Sequence, residues 1–374
     1  MSIASQVEPI RIGVLIDFVL PPPSHWDIRG DFLAATRLTF DDATAAGTLD
    51  RPVELVIREV EGLPRGTVKA VVDAFGELVD AGCLGVFGPM ISESAVPLRE
   101  EIERRFRVPA ISWCGAEEWH GEWTFSLGNG SMSDEPYVIA NLIAQRGLRT
   151  VGVTYERSLI GQKYLSFLRE ACEVEGLAIV GEHAIAQSGV DATAVVHALH
   201  SAVPDALVHL GFGLGVVGVN DALAALDWDP PRYMGTAWEN GYMNDELFRT
   251  YQGWIGLEQY DEENPVAQAF LDRFAEVHGR RPEYVMPIYG HDVARTFVAA
   301  LAKAEPLSPR GLMEALERVK MLPAACGEPG TRISFGKWTR RGWMGAGYLV
   351  AREVTPDFKA TELRGRLSSR AASA

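Results

Sequence analysis

Cysteine is scarce: four residues in 374, Cys83, Cys114, Cys172 and Cys326, widely scattered. They show neither C-x-x-C nor any Cys/His ligand spacing, so they read as free buried thiols and no metal site is expected. Basic residues are in deficit, 35 Lys plus Arg against 50 Asp plus Glu, for a formal charge of -15. That balance argues against nucleic acid or an anionic membrane as partner. No stretch reaches 18 uninterrupted apolar residues, so direct membrane insertion is not expected. The opening MSIASQVEPIRIGVLIDF lacks the basic, apolar and small-residue zones of a secretory signal. As written, the chain is expected in the cytoplasm; a different start codon or a removed signal would place it in the periplasm or at the cell surface. A low-complexity linker and a G-x-S-x-G nucleophile elbow are missing too, and no enzyme or cofactor is implied by the site readings below.

What is present is a regular alternation. Strand-like runs RIGVLIDF (11–18), VELVIREV (53–60), LGVF (84–87) and VPAISW (108–113) are each separated by one amphipathic helix, the pattern of parallel βαβ units. The helix over 67–82 is the clearest: Val68, Val71, Val72, Phe75, Leu78 and Val79 form one stripe, with Thr67 as N-cap and Gly82 closing it. After Thr124–Gly128 the rhythm restarts. Helices at 135–146, 160–175, 191–201 and 216–226 alternate with strands TVGVTY, LAIVGEHAI, DALVHL and RYMGTA. The section from WIGLEQY (254–260) onward is mostly helical, with helices near 265–278, 287–303 and 308–319, and TRISF and GYLVAREV add late strands.

The fold class expected is therefore α/β, two doubly wound parallel-sheet lobes joined by a multi-strand hinge. Residues 1–127 and 256–330 are assigned to the first lobe, 128–255 and 331–360 to the second, and 361–374 to a frayed tail. Short crossing strands between such lobes make hinges around a ligand cleft.

The stretch GVFGPMISESAVPL (85–98) ends a strand at Gly88-Pro89 and sets Ser92 and Ser94 at a helix start. Ligands of open α/β sheets sit beyond the strands' carboxyl ends, where helix N-termini present unpaired N–H groups to a carboxylate or amide oxygen. The plainer alternative is that Ser94 caps the helix. Neighbouring loops are rich in glycine and aromatics: PPPSHWDIRG (21–30), SWCGAEEWHGEW (112–123), LGFGLG (210–215) and GTAWENGY (235–242). Five of the nine tryptophans, Trp26, Trp113, Trp119, Trp123 and Trp238, fall in loops at strand ends, and some of them are expected to face a ligand.

In order and spacing, RIGVLIDF, the helix GDFLAATRLTFDDATAAG, VELVIREVE, GPMISESA, VPAISW and YGHDVARTFVAALAKA resemble the periplasmic leucine/isoleucine/valine-binding proteins, the type I solute-binding proteins of ABC transporters, over about residues 10–355. The resemblance implies that Ser92, four residues after Gly88, contacts a ligand carboxylate and that a second anchor lies at Cys114, Gly115 and Ala116. It also implies departures. Ala116 stands where amino-acid binders place a threonine, Ile160 near the covering aromatic, Phe212 near a tyrosine, and Ala237 near the acid that pairs the ammonium, with Glu239 two residues on. A buried ammonium without a carboxylate costs several kcal/mol, so the expected ligand is apolar or aromatic with one carboxylate or amide. Trp26, Trp113, Phe212 and Trp238 would wall its apolar part, and Phe18 and Tyr155 complete the expected ligand-facing set. The partners implied are that small molecule and either an ABC permease, if exported, or a regulatory protein, if the chain is a cytoplasmic sensor of the amide-receptor kind.

One competing signal remains. Gly213–Gly218 follows a strand and opens a helix, with Glu239 21 residues on, which formally matches a dinucleotide fingerprint and keeps an NAD-dependent oxidoreductase as the lesser alternative. His291-Asp292 reads as helix packing, and His197 and His200 lack a third metal partner.

Overall fold

A computed structural model describes residues 8–18, 24–63, 65–186 and 191–367. The parts of PPPSHWDIRG and of the tail that fall at 21–23 and 368–374 lie outside the described residues. The chain divides into two compact units. The first comprises residues 1–20, 28–129 and 262–344, the second 21–27, 130–261 and 345–374. Several assignments differ from the sequence reading: residues 256–261, with most of β10, group with the second unit and 128–129 with the first. Residues 331–344 group with the first unit, and the segment containing Trp26 groups with the second.

The first unit opens with β1 (Ile10–Ile16), α1 (Ile28–Ala45), β2 (Val53–Glu59), α2 (Val68–Asp80), β3 (Gly85–Phe87), α3 (Ser92–Glu101), β4 (Ala110–Ser112) and β5 (Thr124–Ser126). The second follows with α4 (Asp134–Gln145), β6 (Thr150–Glu156), α5 (Leu159–Glu175), β7 (Ala178–Ile185), α6 (Thr193–Ala202), β8 (Ala206–Leu210), α7 (Val216–Ala225), β9 (Arg232–Met234), α8 (Asp245–Thr250) and β10 (Trp254–Glu258). The first unit then receives α9 (Pro265–His278), α10 (Val285–Leu301), α11 (Pro309–Leu316), β11 (Leu322–Pro323) and β12 (Arg332–Ile333). β13 (Val350–Val354) and β14 (Thr361–Arg366) return to the second.

The first sheet runs β2-β1-β3-β4-β5, every neighbouring pair parallel. The second repeats that order as β7-β6-β8-β9-β10 and extends it by two antiparallel strands, β13 and β14. The strand assigned to β14 overturns the frayed tail for 361–366. Thr361, Glu362, Leu363, Gly365 and Arg366 pair with β13 across one register shift, and Arg366 forks onto the buried Asp261 at 2.6 and 2.7 Å. Its polar composition suits an edge strand with one face in water, which reads from sequence as a tail.

Helix α2 forms as its stripe dictates. Thr67 Oγ1 accepts the Ala70 N–H at 3.2 Å, and Val71, Ala74, Phe75 and Leu78 are buried. The longest apolar helix, α10, lies along α1, and the approach is close because Gly290 leaves no room for a Cβ, which would stand 2.4 Å from the Phe32 carbonyl oxygen. His291 packs as a core histidine. It stacks on Phe270 at 3.8 Å and meets Thr39 Oγ1 at 2.7 Å, and burial holds its pKa well below the usual value. Asp292 beside it accepts the Ala325 and Cys326 N–H groups, each at 2.9 Å. All four cysteines are free and buried. No described helix is long and apolar enough to cross a membrane.

Candidate functional site

In the first unit the strand ends are organised by an aspartate. Asp17 follows β1 directly and is fully buried; its carboxylate accepts the N–H groups of Met90 at 2.6 Å and Ile91 at 3.2 Å and a hydrogen bond from the Ser94 hydroxyl. Burial pushes its pKa up to about 6 despite those donors. Ser94 therefore does not cap α3. Ile91 holds the N-cap position, and Ser94, one turn in, also accepts the Leu63 N–H at 3.2 Å. Asp17 instead ties down the two amides just before the helix, those of Met90 and the N-cap Ile91, and so fixes where α3 begins.

Gly88 makes the turn possible. Its φ is +115°, and a Cβ there would lie 2.2 Å from the Leu15 carbonyl oxygen. Ser92 is the first residue of α3, half-buried, with its hydroxyl against the Cys114 thiol. The 112–116 loop is knit internally. Ser112 Oγ donates to the Pro89 carbonyl at 2.5 Å and accepts the Cys114 N–H at 2.8 Å, and the Ala116 N–H donates to Cys114 Sγ at 3.4 Å. Cys114 and Ala116 are buried, and only Gly115 of the three is half-exposed. Of the stretch expected as an anchor, 114–116, only Gly115 is open to solvent, and the other two are held inside the loop. Burial raises the Cys114 thiol to about 11, so it is an inert neutral group.

Trp113 is half-buried beside Ser92's loop, its ring 5.6 Å from Phe32, 5.5 Å from Phe87 and 5.2 Å from Tyr289. Its indole N–H is shielded and has no hydrogen-bond partner among the described residues. Phe18 is half-exposed just past Asp17. Trp119 and Trp123 are buried, with Trp119 Nε1 donating to the Phe125 carbonyl at 2.7 Å. They are core residues of the first unit, not ligand-facing ones.

The second unit uses the same device. Glu156 ends β6, is fully buried, and accepts the Phe212 N–H at 2.8 Å and the Gly213 N–H at 3.0 Å. Two amides of the 211–215 turn, those of Phe212 and Gly213, are therefore already taken by a carboxylate. A pyrophosphate would meet a negative charge there, which removes the physical basis of the dinucleotide reading. Phe212 is half-exposed and fixed by Asn240 Nδ2, which donates to its carbonyl at 2.8 Å. Tyr155, next to last in β6, and Ala237, in the 3-10 helix after β9, are half-exposed as well.

Three expected contacts change role. Ile160 lies in the first turn of α5 at 7% exposure, a core position. RYMGTA does not continue as a strand beyond Met234 but turns into a 3-10 helix, Thr236–Met243, and this carries Trp238 and Glu239 inward. Trp238 is 1% exposed and sits on β10, where Gly256 lacks the Cβ that would collide with the indole at 2.0 Å; Glu239 is buried. Trp26 packs on Tyr242 at 5.1 Å and Phe248 at 5.9 Å, and its segment is tied down by Ser24 Oγ donating to the Tyr242 carbonyl and by His25 against Asp245. Of the four aromatic walls, Trp113 and Phe212 keep half-exposed faces at strand ends, Trp26 leans on its own unit, and Trp238 is core.

Glu135, which sequence reading missed, is fully buried near the start of α4. It accepts the Tyr164 hydroxyl at 2.7 Å and the Thr236 N–H at 2.7 Å, and burial lifts it to about 7. Gly130 and Gly235 make room for its carboxylate, which would stand 2.0 and 2.2 Å from a Cβ at either position. Among the described residues no cluster of three or more His, Cys, Asp or Glu could hold a metal ion.

Two parallel-sheet units, each presenting a helix start and half-exposed rings where its strands end, define the type I periplasmic binding fold. The chain belongs to the periplasmic binding protein family, whose profile matches residues 9–346. No curated protein matches it by sequence. Solved structures share the fold at low identity. A periplasmic binding protein type 1 from Bordetella pertussis Tohama I superposes with a TM-score of 0.77 at 17% identity, covering 96% of this chain and 100% of that one. An ABC transporter substrate-binding protein from Desulfitobacterium hafniense, in complex with Leu, gives 0.77 at 18%, covering 96% and 100%. An ABC transporter solute-binding protein from R. palustris, in complex with benzoate, gives 0.72 at 14%, covering 96% of each chain.

Proposed function

We propose that the chain is the solute-binding component of an ABC-type uptake system, exported to the periplasm or cell surface, and that it binds a small apolar or aromatic ligand bearing one carboxylate or amide. The observation that carries the reading is the first unit's strand-end rim. A half-buried Ser92 at a helix start stands beside Gly115, and Trp113 offers a ring and an unpartnered indole N–H. The helix start and hydroxyl suit a carboxylate oxygen, and the half-exposed Trp113 ring, backed by the buried Phe87 and Phe32, suits a flat apolar body. Ala116 and Ala237 offer methyl groups where the resemblance places a hydroxyl and an acid, and Glu239 is buried, so nothing in the reading favours an ammonium. The fold carries an aromatic acid in the benzoate complex from R. palustris and an amino acid in the Leu complex from D. hafniense, so the choice of ligand class rests on Ala116, Ala237 and Trp113.

The test is a thermal-shift and calorimetric screen of benzoate, substituted aromatic acids, aromatic amides and leucine against the full chain and Ser92→Ala. Stabilisation by an aromatic acid or amide, weakened in the variant, supports the reading. Stabilisation by leucine alone overturns the ligand class, and stabilisation by NADH alone overturns solute binding itself. Cell fractionation, with neighbouring permease and ATPase genes, checks export; a cytosolic protein would instead be a ligand-operated switch for a regulatory partner.

A further inference from the structure

The first unit carries a cavity of about 880 Å³, lined by none of the residues of the strand-end rim, within the range of small-molecule sites. It lies between the 120–122 loop, α11 and the turn 336–340. Three carboxylates line it, and all are taken. Arg310 pairs with Glu122 at 3.1 Å and Glu314 at 2.9 Å, and Arg340 pairs with Glu317 at 2.7 Å. Two lining cations are left over. Lys337 lies 5.3 Å from the Trp338 ring centroid, and Arg318 donates to the Lys303 carbonyl at 3.1 Å; neither has a carboxylate partner among the described residues. Arg340 adds a buried guanidinium, 7% exposed, whose Nη1 has no hydrogen-bond partner among the described residues.

The cavity's rim is an indole. Trp338 is 88% exposed, and the other eight tryptophans are all at least partly buried. A tryptophan is large enough that leaving it in water forgoes much apolar burial. It is not on a loose loop. Gly336 and Thr339 exchange backbone hydrogen bonds at 2.9 and 3.3 Å to close the turn, and Ser126 of β5 pairs with its far arm through Arg340 and Gly342, both at 2.8 Å. A rigidly presented ring flanked by unpaired cations is built to take a flat, negatively charged guest.

We propose that this cavity is a second ligand site, for a planar aromatic anion that stacks on Trp338 while Lys337 and Arg318 meet its charge. The guest's anionic group could be a carboxylate or a phosphate, and the experiment separates the two sources. The full chain is titrated by calorimetry with naphthalene-1-carboxylate and, separately, with AMP, alongside Lys337→Ala/Trp338→Ala and Arg318→Ala. These side chains are exposed, so the variants are expected to fold and to keep the thermal response of the strand-end rim. Saturable binding in one arm, weakened at least about tenfold in the double variant and reduced by high salt, is the expected result; which arm binds names the anion. Titrations that are the same in the double variant as in the unmodified chain, or no saturable binding in either arm, overturn the proposal. Ser92→Ala, titrated in parallel, keeps its failure distinct from that of the proposed function, since loss of binding in that variant alone would belong to the rim.

Discussion

Tyr164 donates its hydroxyl to Glu135 Oε1 across 2.7 Å, inside a pocket where no cation is paired to that carboxylate by any ion pair of the described residues. Burial is the leading cause of the upward shift to about 7, against an ordinary 4.5. The folded chain therefore binds this proton more tightly than the unfolded chain, so Glu135 detracts from stability as pH rises between about 4.5 and 7, by roughly 3 kcal/mol in total. Asp17, raised from 3.8 to about 6, acts in the same direction over a lower window. In Glu135→Gln the amide can still accept the Thr236 N–H and donate to Tyr164. Its melting temperature is expected to fall less between about pH 5 and pH 8 than that of the unmodified chain. Parallel pH profiles would show that the carboxyl is not titrating in this window.

Asp17→Ala is expected to leave the Met90 and Ile91 amides without their buried acceptor and to destabilise the first unit by about 1–3 kcal/mol. Urea unfolding measures the loss. Hydrogen exchange should localise it to the 88–94 segment, and uniform exchange across the unit would contradict the assignment.

Glu156→Ala is the counterpart in the second unit, freeing the Phe212 and Gly213 amides. Faster exchange at residues 211–215 is expected. If the Glu156 carboxylate on those amides is what excludes phosphate, this variant should gain weak AMP or NADH binding that the unmodified turn lacks, readable by saturation-transfer NMR; no gain would place the exclusion elsewhere in the turn.

Trp238→Ala separates core from site. An indole at 1% exposure packed on Gly256 predicts a loss of about 3–5 kcal/mol in stability. Trp113→Ala, with its ring half-exposed, is expected to cost less stability and more ligand affinity. A Trp238 variant with full stability and lost binding would reverse these roles.

The fold was legible because its signals are periodic. The α2 stripe, the repeated strand-helix spacing and the Thr67 cap each follow from local chemistry, and tertiary packing agreed with them. The site was legible in part. The 85–98 turn announces itself by Gly88 and two hydroxyls, but Ser94 serves Asp17, 77 residues earlier, and Ser92 meets Cys114, 22 residues later, and no local pattern carries either partner. An acid closing the first apolar strand of each half, Asp17 after IRIGVLI and Glu156 after TVGVTY, is the signal that could have found both loop anchors. The tryptophans misled because an indole beside glycines reads as a rim residue. In Trp238 and Gly256 the glycine is instead the space the indole occupies. β14 was hidden by composition, since an edge strand with polar side chains shows little alternation.

β13 is flanked on one side by β10 and on the other by β14, so the ladder of the second sheet ends in a short, charged strand pinned by Arg366 to Asp261. Trimming the chain before Thr361, or crowding that end with an affinity tag, would strip the sheet of its guard. The bared β13 could then recruit strands from other molecules, and a preparation soluble with its last residues could become one that clumps without them.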